Sequence, residues 1–179
     1  INELQLYVEH SYLFKDYSEV WRDETPLTAQ EIMEFDLYCK NLGIDLIPSV
    51  SNFSHLYKML GPKTFSSFCE LDYAAGPPFS FANRMAPPPL AISNPDSLQL
   101  MKDRIDEFMS LFSSKYFNIC ADETFDLGLG KTKSLVEKLG KAEVYIRFVS
   151  QLCHHVVRRG KIPLFWGPLI AAAPETPSI

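Results

Sequence analysis

The chain has 179 residues, of which 46% are hydrophobic and 22% charged, enough for one ordinary domain with a hydrophobic core, and this composition argues against disorder. The formal net charge of −5 and the pI near 5.4, without clustered Lys and Arg, argue against nucleic acid and anionic lipid as partners. No apolar stretch approaches the roughly 18 to 20 residues of a membrane-spanning helix, so we expect no membrane partner.

The first part of the chain predicts a strand followed by a helix. Residues Leu4–Glu9 place apolar side chains at alternate positions and are typical of a strand. An aromatic-rich loop follows. Thr28 and Glu31 have the spacing of a capping box, which predicts a helix that Gly43 ends.

The next part predicts a second strand and a long, irregular connection. Residues Ile44–Val50 form a short apolar run of strand type, in which Pro48 predicts looser pairing near the strand's end. Residues Asn52–Glu70 indicate two short helical pieces separated at Gly61 and Pro62. The proline-rich segment Tyr73–Asn94 is predicted to be a loop, of the length that is often functional.

The remaining chain predicts two helices and two strands in alternation. Apolar residues at three- and four-residue intervals indicate a helix that Asn94 caps. The other three elements are a strand at Tyr116–Ala121, a helix at Lys141–Arg159 and a strand at Ile162–Trp166. Strands that alternate with helices predict an α/β fold, a parallel sheet of about four strands with right-handed crossovers.

The cysteines and the N-terminus carry little functional information. The four cysteines lack the paired spacing of a zinc site and the density of a disulfide scaffold, so they predict free, mostly buried thiols: Cys39, Cys69, Cys120 and Cys153. We expect no metal site and no cofactor. The chain begins at Ile1, without methionine and within a predicted strand, so we expect residues to precede it, and the compartment stays unknown.

The most informative stretch is YFNICADETFDLGLG, residues 116–130, in which a predicted strand closes on Asp122 and Glu123. Barrel enzymes of alternating strands and helices build their active sites at the carboxyl ends of their strands. Two carboxyl groups so close cannot ionise independently, so one can keep a proton and act as an acid. Consecutive strand residues point to opposite faces, so both can reach one pocket only if the strand breaks near Asp122. The plainer interpretation is two solvated carboxylates that cap the next helix.

Five segments together resemble the catalytic barrel of family 20 glycoside hydrolases, the β-N-acetylhexosaminidases. In chain order they are LQLYVEHSYLF, PLTAQEIMEFDLYCKNLGIDLIPSVSNFSH, SNPDSLQLMKDRIDEF, FNICADETFDLGLGKTK and GKIPLFWG. The resemblance implies a partial (β/α)8 TIM barrel, with residues 1–179 forming part of a single catalytic domain. A whole barrel needs about 250 residues, so we expect a fragment that holds the second to fifth strands. If such a half barrel is stable alone, a homodimer that completes a pseudo-barrel is expected.

The resemblance also implies a reaction and roles for individual residues. The substrate would be a glycan ending in N-acetylhexosamine, whose own acetamido oxygen attacks the anomeric carbon, so the enzyme supplies no nucleophile. Glu123 matches the general acid/base, Asp122 the carboxylate that orients the acetamido group, and His55 the histidine that hydrogen-bonds the acid. The implied supporting or substrate-binding positions are Trp166 in the acetamido pocket, Asn52 beside His55, and Glu9 and His10 at the place where the family carries an acidic partner for that histidine.

Departures from the family pattern leave two alternatives open. Pro168 stands where Trp-Gly is usually followed by an acidic residue, and several sugar-binding groups of the family have no counterpart, so we expect little turnover from this chain alone. One alternative is a catalytically inert barrel fragment that binds carbohydrate or self-assembles. The other is a barrel glycosidase with two enzyme carboxylates, for which Glu9 is the candidate partner of Glu123.

Two further motifs suggest little. The residues from Gly128 to Thr132, GLGKT, superficially resemble a phosphate-binding loop, but the first glycine of that motif would fall at Phe125. The pair His154 and His155 lies in a predicted helix without a partner at metal-ligand spacing.

Overall fold

The computed structural model describes residues 1–21, 25–71 and 89–167. Within them, four parallel strands lie side by side in chain order: β1 (Glu3–Val8), β2 (Asp45–Val50), β3 (Tyr116–Asn118) and β4 (Ile162–Leu164). Six α-helices occur in the described part: α1 (Ser18–Trp21), α2 (Ala29–Asn41), α3 (Tyr57–Leu60), α4 (Ser97–Met109), α5 (Lys133–Leu139) and α6 (Lys141–Arg158). The predicted α/β fold is confirmed, and it matches a segment of a TIM barrel.

Strand order that follows chain order places the connecting helices on one face of the sheet, because parallel crossovers are right-handed. The hydrophobic core lies between that face and the helices. Its strand side chains include Val8, Val50 and Phe117, and its helical side chains include Ile105 and Leu152, all at most 1% exposed. The opposite face of the sheet carries polar residues. There Gln5 accepts hydrogen bonds from Ser49 and Asn118, at 3.0 and 2.9 Å, which links β1, β2 and β3.

Local sequence signals determine where the first helices begin and end. Thr28 and Glu31 form the predicted capping box, because each side chain accepts the other residue's backbone N–H. Gly43, with a φ of 71°, turns the chain toward β2. The predicted split of residues 52–70 is confirmed by helix α3 and a 3-10 turn at Ser66–Phe68. The short helix α1 lies where the sequence predicted a loop.

Three predicted boundaries and one prediction about strand pairing were wrong. Pairing with β1 continues in register through Pro48 to Val50, so the expected loosening does not occur on that side. Helix α4 begins at Ser97 because Asn94 forms a separate turn, in which its side chain accepts the N–H of Asp96 at 3.0 Å. Strand β3 ends three residues before the predicted Ala121, and β4 ends at Leu164.

Several predictions fall on residues outside the described part. The proline-rich loop lies there from residue 72 to 88, and so does Pro168 with the residues after it. Within the described residues, no helix is both long and apolar enough to cross a membrane. The four cysteines are free thiols, three of them buried, as predicted.

Candidate active site

The acidic pair lies on a sharp turn that begins immediately after β3. The chain leaves the sheet because Cys120 and Ala121 adopt φ values of 59° and 66°, and Glu123 follows with a φ of 50°. Residues with a Cβ adopt this left-handed region only where their surroundings hold them. The break therefore comes before Asp122, and both carboxylates leave the alternation of the strand. This resolves the geometric objection that the sequence raised.

Hydrogen bonds from three elements hold this turn. The side chain of Asn118 accepts the N–H of Cys120 at 2.8 Å, and Trp166, beyond β4, donates its N–H to the Cys120 carbonyl at 2.8 Å. The hydroxyl of Tyr145, on α6, donates to the Ala121 carbonyl at 2.8 Å. The positive φ values thus belong to a turn with three external tethers.

His55 brings the two carboxylates together. Its Nε2 lies 3.1 Å from a carboxylate oxygen of Glu123 and 3.6 Å from one of Asp122. Its Nδ1 lies 3.9 Å from Glu9. Like the residues after β3, His55 has a positive φ, of 57°, in the connection that follows β2. One histidine therefore contacts acidic groups through both ring nitrogens.

This acidic surrounding changes the protonation of the histidine. Interaction with Asp122, by hydrogen bonding and by charge, raises the pKa of His55, and Glu9 and Glu123 raise it further, whereas burial opposes the rise. The imidazolium form is consequently favoured over a wider pH range than in a free histidine. A histidine this close to a carboxylate can exchange a proton with it.

The predicted supporting residues lie at different depths. Glu9 is 7% exposed and lies on the Nδ1 side of His55, whereas His10 lies 3.9 Å from Glu9 and packs its ring edge against Tyr57. Asn52 is fully buried, and its amide donates to the carbonyls of Val50 and Ile119, at 2.7 and 3.4 Å. Asn52 thus ties the ends of two strands behind the site.

An aromatic wall stands beside the acidic groups. Trp166 is 39% exposed, and its ring centroid lies 5.6 Å from that of Tyr7. The Tyr7 hydroxyl donates to Glu9 at 3.2 Å and lies 2.9 Å from the Ser51 hydroxyl. Burial raises the pKa of Tyr7, so this hydroxyl stays protonated and available as a donor. Trp166 was predicted for this region, and Tyr7 was not.

The signal for Tyr7 was present in the sequence. The apolar positions of β1, which predicted the strand, pack toward the helices. The alternate positions, Gln5, Tyr7 and Glu9, point to the other face and lead toward the site. The same alternation in β2 leads from Ser49 to Ser51.

The cluster also has the composition of a cation site. One ligand atom from each of His55, Asp122 and Glu123 lies within 4.8 Å of the other two. Nitrogen and carboxylate ligands suit several divalent metals. The sequence predicts no metal, and that stays a prediction.

Comparisons with known proteins agree with this architecture. No protein-family model matches the chain. The sequence is 28% identical over 149 residues to lacto-N-biosidase of Bifidobacterium bifidum, an alignment that covers 78% of this chain and 12% of that protein. A β-N-acetylhexosaminidase of Bacteroides fragilis superposes with a TM-score of 0.77 at 17% identity, over 99% of this chain and 38% of that one. The fold is that of part of a family 20 glycoside hydrolase barrel.

Two further structures support the same fold. A chitobiase of Flavobacterium johnsoniae has a TM-score of 0.71 at 22% identity, over 87% of this chain and 24% of that one. A variant β-hexosaminidase of Streptomyces plicatus, in complex with its product GlcNAc, has a TM-score of 0.72 at 17% identity, over 97% of this chain and 34% of that one. The chain thus spans between about an eighth and two fifths of the length of these proteins.

Proposed function

We propose that this chain carries the acid/base part of a glycosidase that removes terminal N-acetylhexosamine from β-linked glycans. The observation that carries the proposal is the convergence of Asp122, Glu123 and His55 on one point at the carboxyl end of a parallel strand. The likeness to hexosaminidases and a lacto-N-biosidase supports the substrate class. We also propose that the four strands belong to a single barrel domain.

Glu123 is the proposed general acid/base. Its carboxyl group would protonate the glycosidic oxygen as the bond to the anomeric carbon breaks, and its carboxylate would later activate the water that opens the intermediate. At 3.1 Å, His55 is near enough to hold this side chain toward the bound sugar and to exchange a proton with it. The left-handed backbone at Glu123 takes this residue out of the alternation of β3.

Asp122 is the proposed partner of the acetamido group. In substrate-assisted hydrolysis, the acetamido oxygen attacks the anomeric carbon while the amide nitrogen becomes positively charged. A carboxylate that accepts the acetamido N–H both orients the group and stabilises this charge. This chemistry needs no cofactor, because the acid, the orienting group and the nucleophile come from two side chains and the substrate.

The aromatic pair Trp166 and Tyr7 is the proposed wall of the acetamido pocket. Aromatic faces suit the C–H surfaces of a sugar and the methyl of an N-acetyl group. Glu9 reaches the Nδ1 side of His55, whereas Glu123 reaches the Nε2 side. This placement favours a role for Glu9 in orienting His55 over a role as a second catalytic carboxylate.

The test is hydrolysis of an aryl N-acetyl-β-glucosaminide by the complete natural polypeptide that contains these residues, compared with the matching aryl β-glucoside. We expect activity on the first substrate alone, because only it carries the internal nucleophile. Glu123→Gln should lower kcat about 100-fold or more on substrates with poor leaving groups. Asp126→Asn, which changes a carboxylate in the same loop, is the matched control and should retain activity. Undiminished turnover in Glu123→Gln would contradict the role of Glu123 as the acid, whereas no turnover of either substrate by the wild type would favour the inert, carbohydrate-binding alternative.

A further inference from the structure

The GLGKT segment, whose sequence resembles a phosphate-binding loop, surrounds a carboxylate of the protein itself. Glu70 is fully buried, and its side chain accepts the backbone N–H groups of Gly128, Gly130 and Thr132, at 3.2, 3.1 and 3.0 Å. The Thr132 hydroxyl also donates to this carboxylate. Successive backbone N–H groups that converge on one anion form a nest, and charge-assisted bonds of this kind are among the strongest in proteins.

The main chain of Glu70 belongs to the same contact. Its carbonyl accepts the N–H of Lys131 at 3.0 Å, and the Lys131 ammonium group donates to the carbonyls of Ser66 and Ser67, at 3.3 and 3.2 Å. A Cβ added at Gly130 would overlap the Glu70 carbonyl oxygen, so only glycine allows this approach. The two segments are therefore fitted to each other at the backbone.

This contact joins the two connections that carry the proposed acid and its histidine. His55 and Glu70 lie in the connection that follows β2, and Glu123 and the Gly128–Thr132 loop lie in the connection that follows β3. On the site side, the two connections meet where Nε2 of His55 lies 3.1 Å from Glu123, and where the Ser54 hydroxyl donates to the Glu123 carbonyl at 3.1 Å. Glu70 forms the second junction, away from the site.

Consecutive turns connect the Gly128–Thr132 loop to Glu123, the proposed acid. The N–H of Phe125 donates to the Glu123 carbonyl at 2.9 Å, and Leu127 donates to Thr124 at 3.2 Å. Four residues therefore lie between Glu123 and the first anchored amide, at Gly128. The tethers on Cys120 and Ala121 act upstream of the left-handed Glu123. Downstream of it, Lys141 donates to the Phe125 carbonyl at 2.7 Å, and Glu70 holds the loop from Gly128 onward.

We propose that Glu70 is a positioning residue for the general acid: by fixing the Gly128–Thr132 loop to the connection that bears His55, it keeps Glu123 within hydrogen-bonding distance of His55. The inference rests on the proposed role of Glu123. Among the described residues, the Glu70 side chain accepts hydrogen bonds from Gly128, Gly130 and Thr132, so we infer that it acts through this loop and not on the substrate.

Glu70→Gln is the sharpest variant, because it preserves size and removes the negative charge that the three loop amides and the Thr132 hydroxyl stabilise. A displaced acid matters most when the leaving group needs protonation. We therefore expect kcat to fall on the order of 10- to 100-fold on a disaccharide of N-acetylglucosamine, and by less than about 3-fold on the dinitrophenyl glycoside, which leaves without a proton. Gly130→Ala should show the same selectivity.

Asp36→Asn is the matched control, because Asp36 is another buried carboxylate that accepts a backbone N–H, that of Ser113, at 3.1 Å. Ser113 lies ahead of β3, at the opposite end of that strand from the site. We expect this variant to lose stability without any change in the ratio of the two kcat values. Equal losses on both substrates in Glu70→Gln, or no loss on either, would overturn the proposal.

Amide hydrogen exchange gives a readout that does not depend on activity. In Glu70→Gln, we expect faster exchange at Gly128, Gly130 and Thr132, and also across residues 123–127, which lie outside the nest. Faster exchange confined to the nest amides would contradict a positioning role. A wild-type protein inactive on both glycosides would instead remove the proposed function, and the exchange data would still decide whether Glu70 holds the Glu123 segment.

Discussion

Replacing His55 with glutamine tests the central geometry of the site. The variant keeps a polar side chain of similar reach and removes the imidazolium that lies 3.1 Å from Glu123 and 3.6 Å from Asp122. Two neighbouring carboxyl groups then lose the cation between them, and Glu123, the proposed acid, loses its contact with His55.

The magnitude follows from the strength of this contact. A hydrogen bond between charged groups contributes about 1.5 to 3 kcal/mol. The lower part of that range applies because the Glu123 side chain is 37% exposed, although that of His55 is only 13% exposed. A loss of about 1.5 to 2 kcal/mol in transition-state stabilisation corresponds to a fall in kcat of roughly 10- to 30-fold.

The assay compares His55→Gln with His155→Gln. His155 forms a histidine–carboxylate pair with Asp106 at 2.8 Å, between α4 and α6 and remote from the site, so its variant should keep full activity. The pKa of His55 is raised in the folded protein, so its stabilising contribution is complete below its ordinary pKa and disappears as pH rises through the raised value. The stability difference between wild type and His55→Gln should therefore be largest near about pH 6 and should close in alkaline solution. Equal kcat values in the two variants, or a stability difference independent of pH, would refute this reasoning.

Three further predictions concern the surroundings of the site. Arg104 is fully buried, with its guanidinium 4.3 Å from the Phe14 ring and a hydrogen bond to the Glu9 carbonyl, and burial lowers its pKa to about 10. Because burial of the charge offsets these contacts, urea unfolding should show Arg104→Met within about 2 kcal/mol of wild type, and Arg104→Ala less stable than Arg104→Met by about 2 to 4 kcal/mol. Tyr7→Phe should cost about 1 to 2 kcal/mol in the same measurement, because Glu9 loses a donor, with little change in KM since the ring remains. Burial raises the pKa of Asp106, but Arg159 and His155 lower it by more. The loss of stability in Asp106→Asn should therefore disappear as pH falls through the lowered pKa. A loss of stability that persists in strong acid would contradict this.

Short-range patterns made much of the fold predictable. The capping box at Thr28 and Glu31 is an interaction between residues three apart, and the alternation in β1 reports directly which face is apolar. Parallel pairing followed from the order of elements, since helices separate each strand from the next. These features depend on neighbours in the sequence, so the sequence alone contained them.

The turn after β3 was predictable only in outline. Its apolar run continues to Ala121, and no glycine marks the left-handed residues, so local propensity predicts a longer strand. The strand ends because Asn118, Trp166 and Tyr145 capture backbone groups of the next residues. Two of these partners lie more than 20 residues away in the chain, and no local pattern encodes such a choice.

The contact of Glu70 with the Gly128–Thr132 loop also joins residues far apart in the chain, and it too was not predictable from the sequence. The sequence context of Glu70 has no catalytic signature, and the GLGKT loop that it organises resembles a site for an external anion. An external phosphate and an internal carboxylate are nevertheless stabilised in the same way, because converging N–H groups stabilise whichever anion occupies the nest. Since Glu70 lies about 60 residues earlier in the chain, its carboxylate occupies the nest only once both connections have folded onto each other. A motif that resembles a phosphate-binding loop, next to an acidic strand end, can thus bind a carboxylate of the protein itself. A buried carboxylate in the nest distinguishes this case from a site for an external anion.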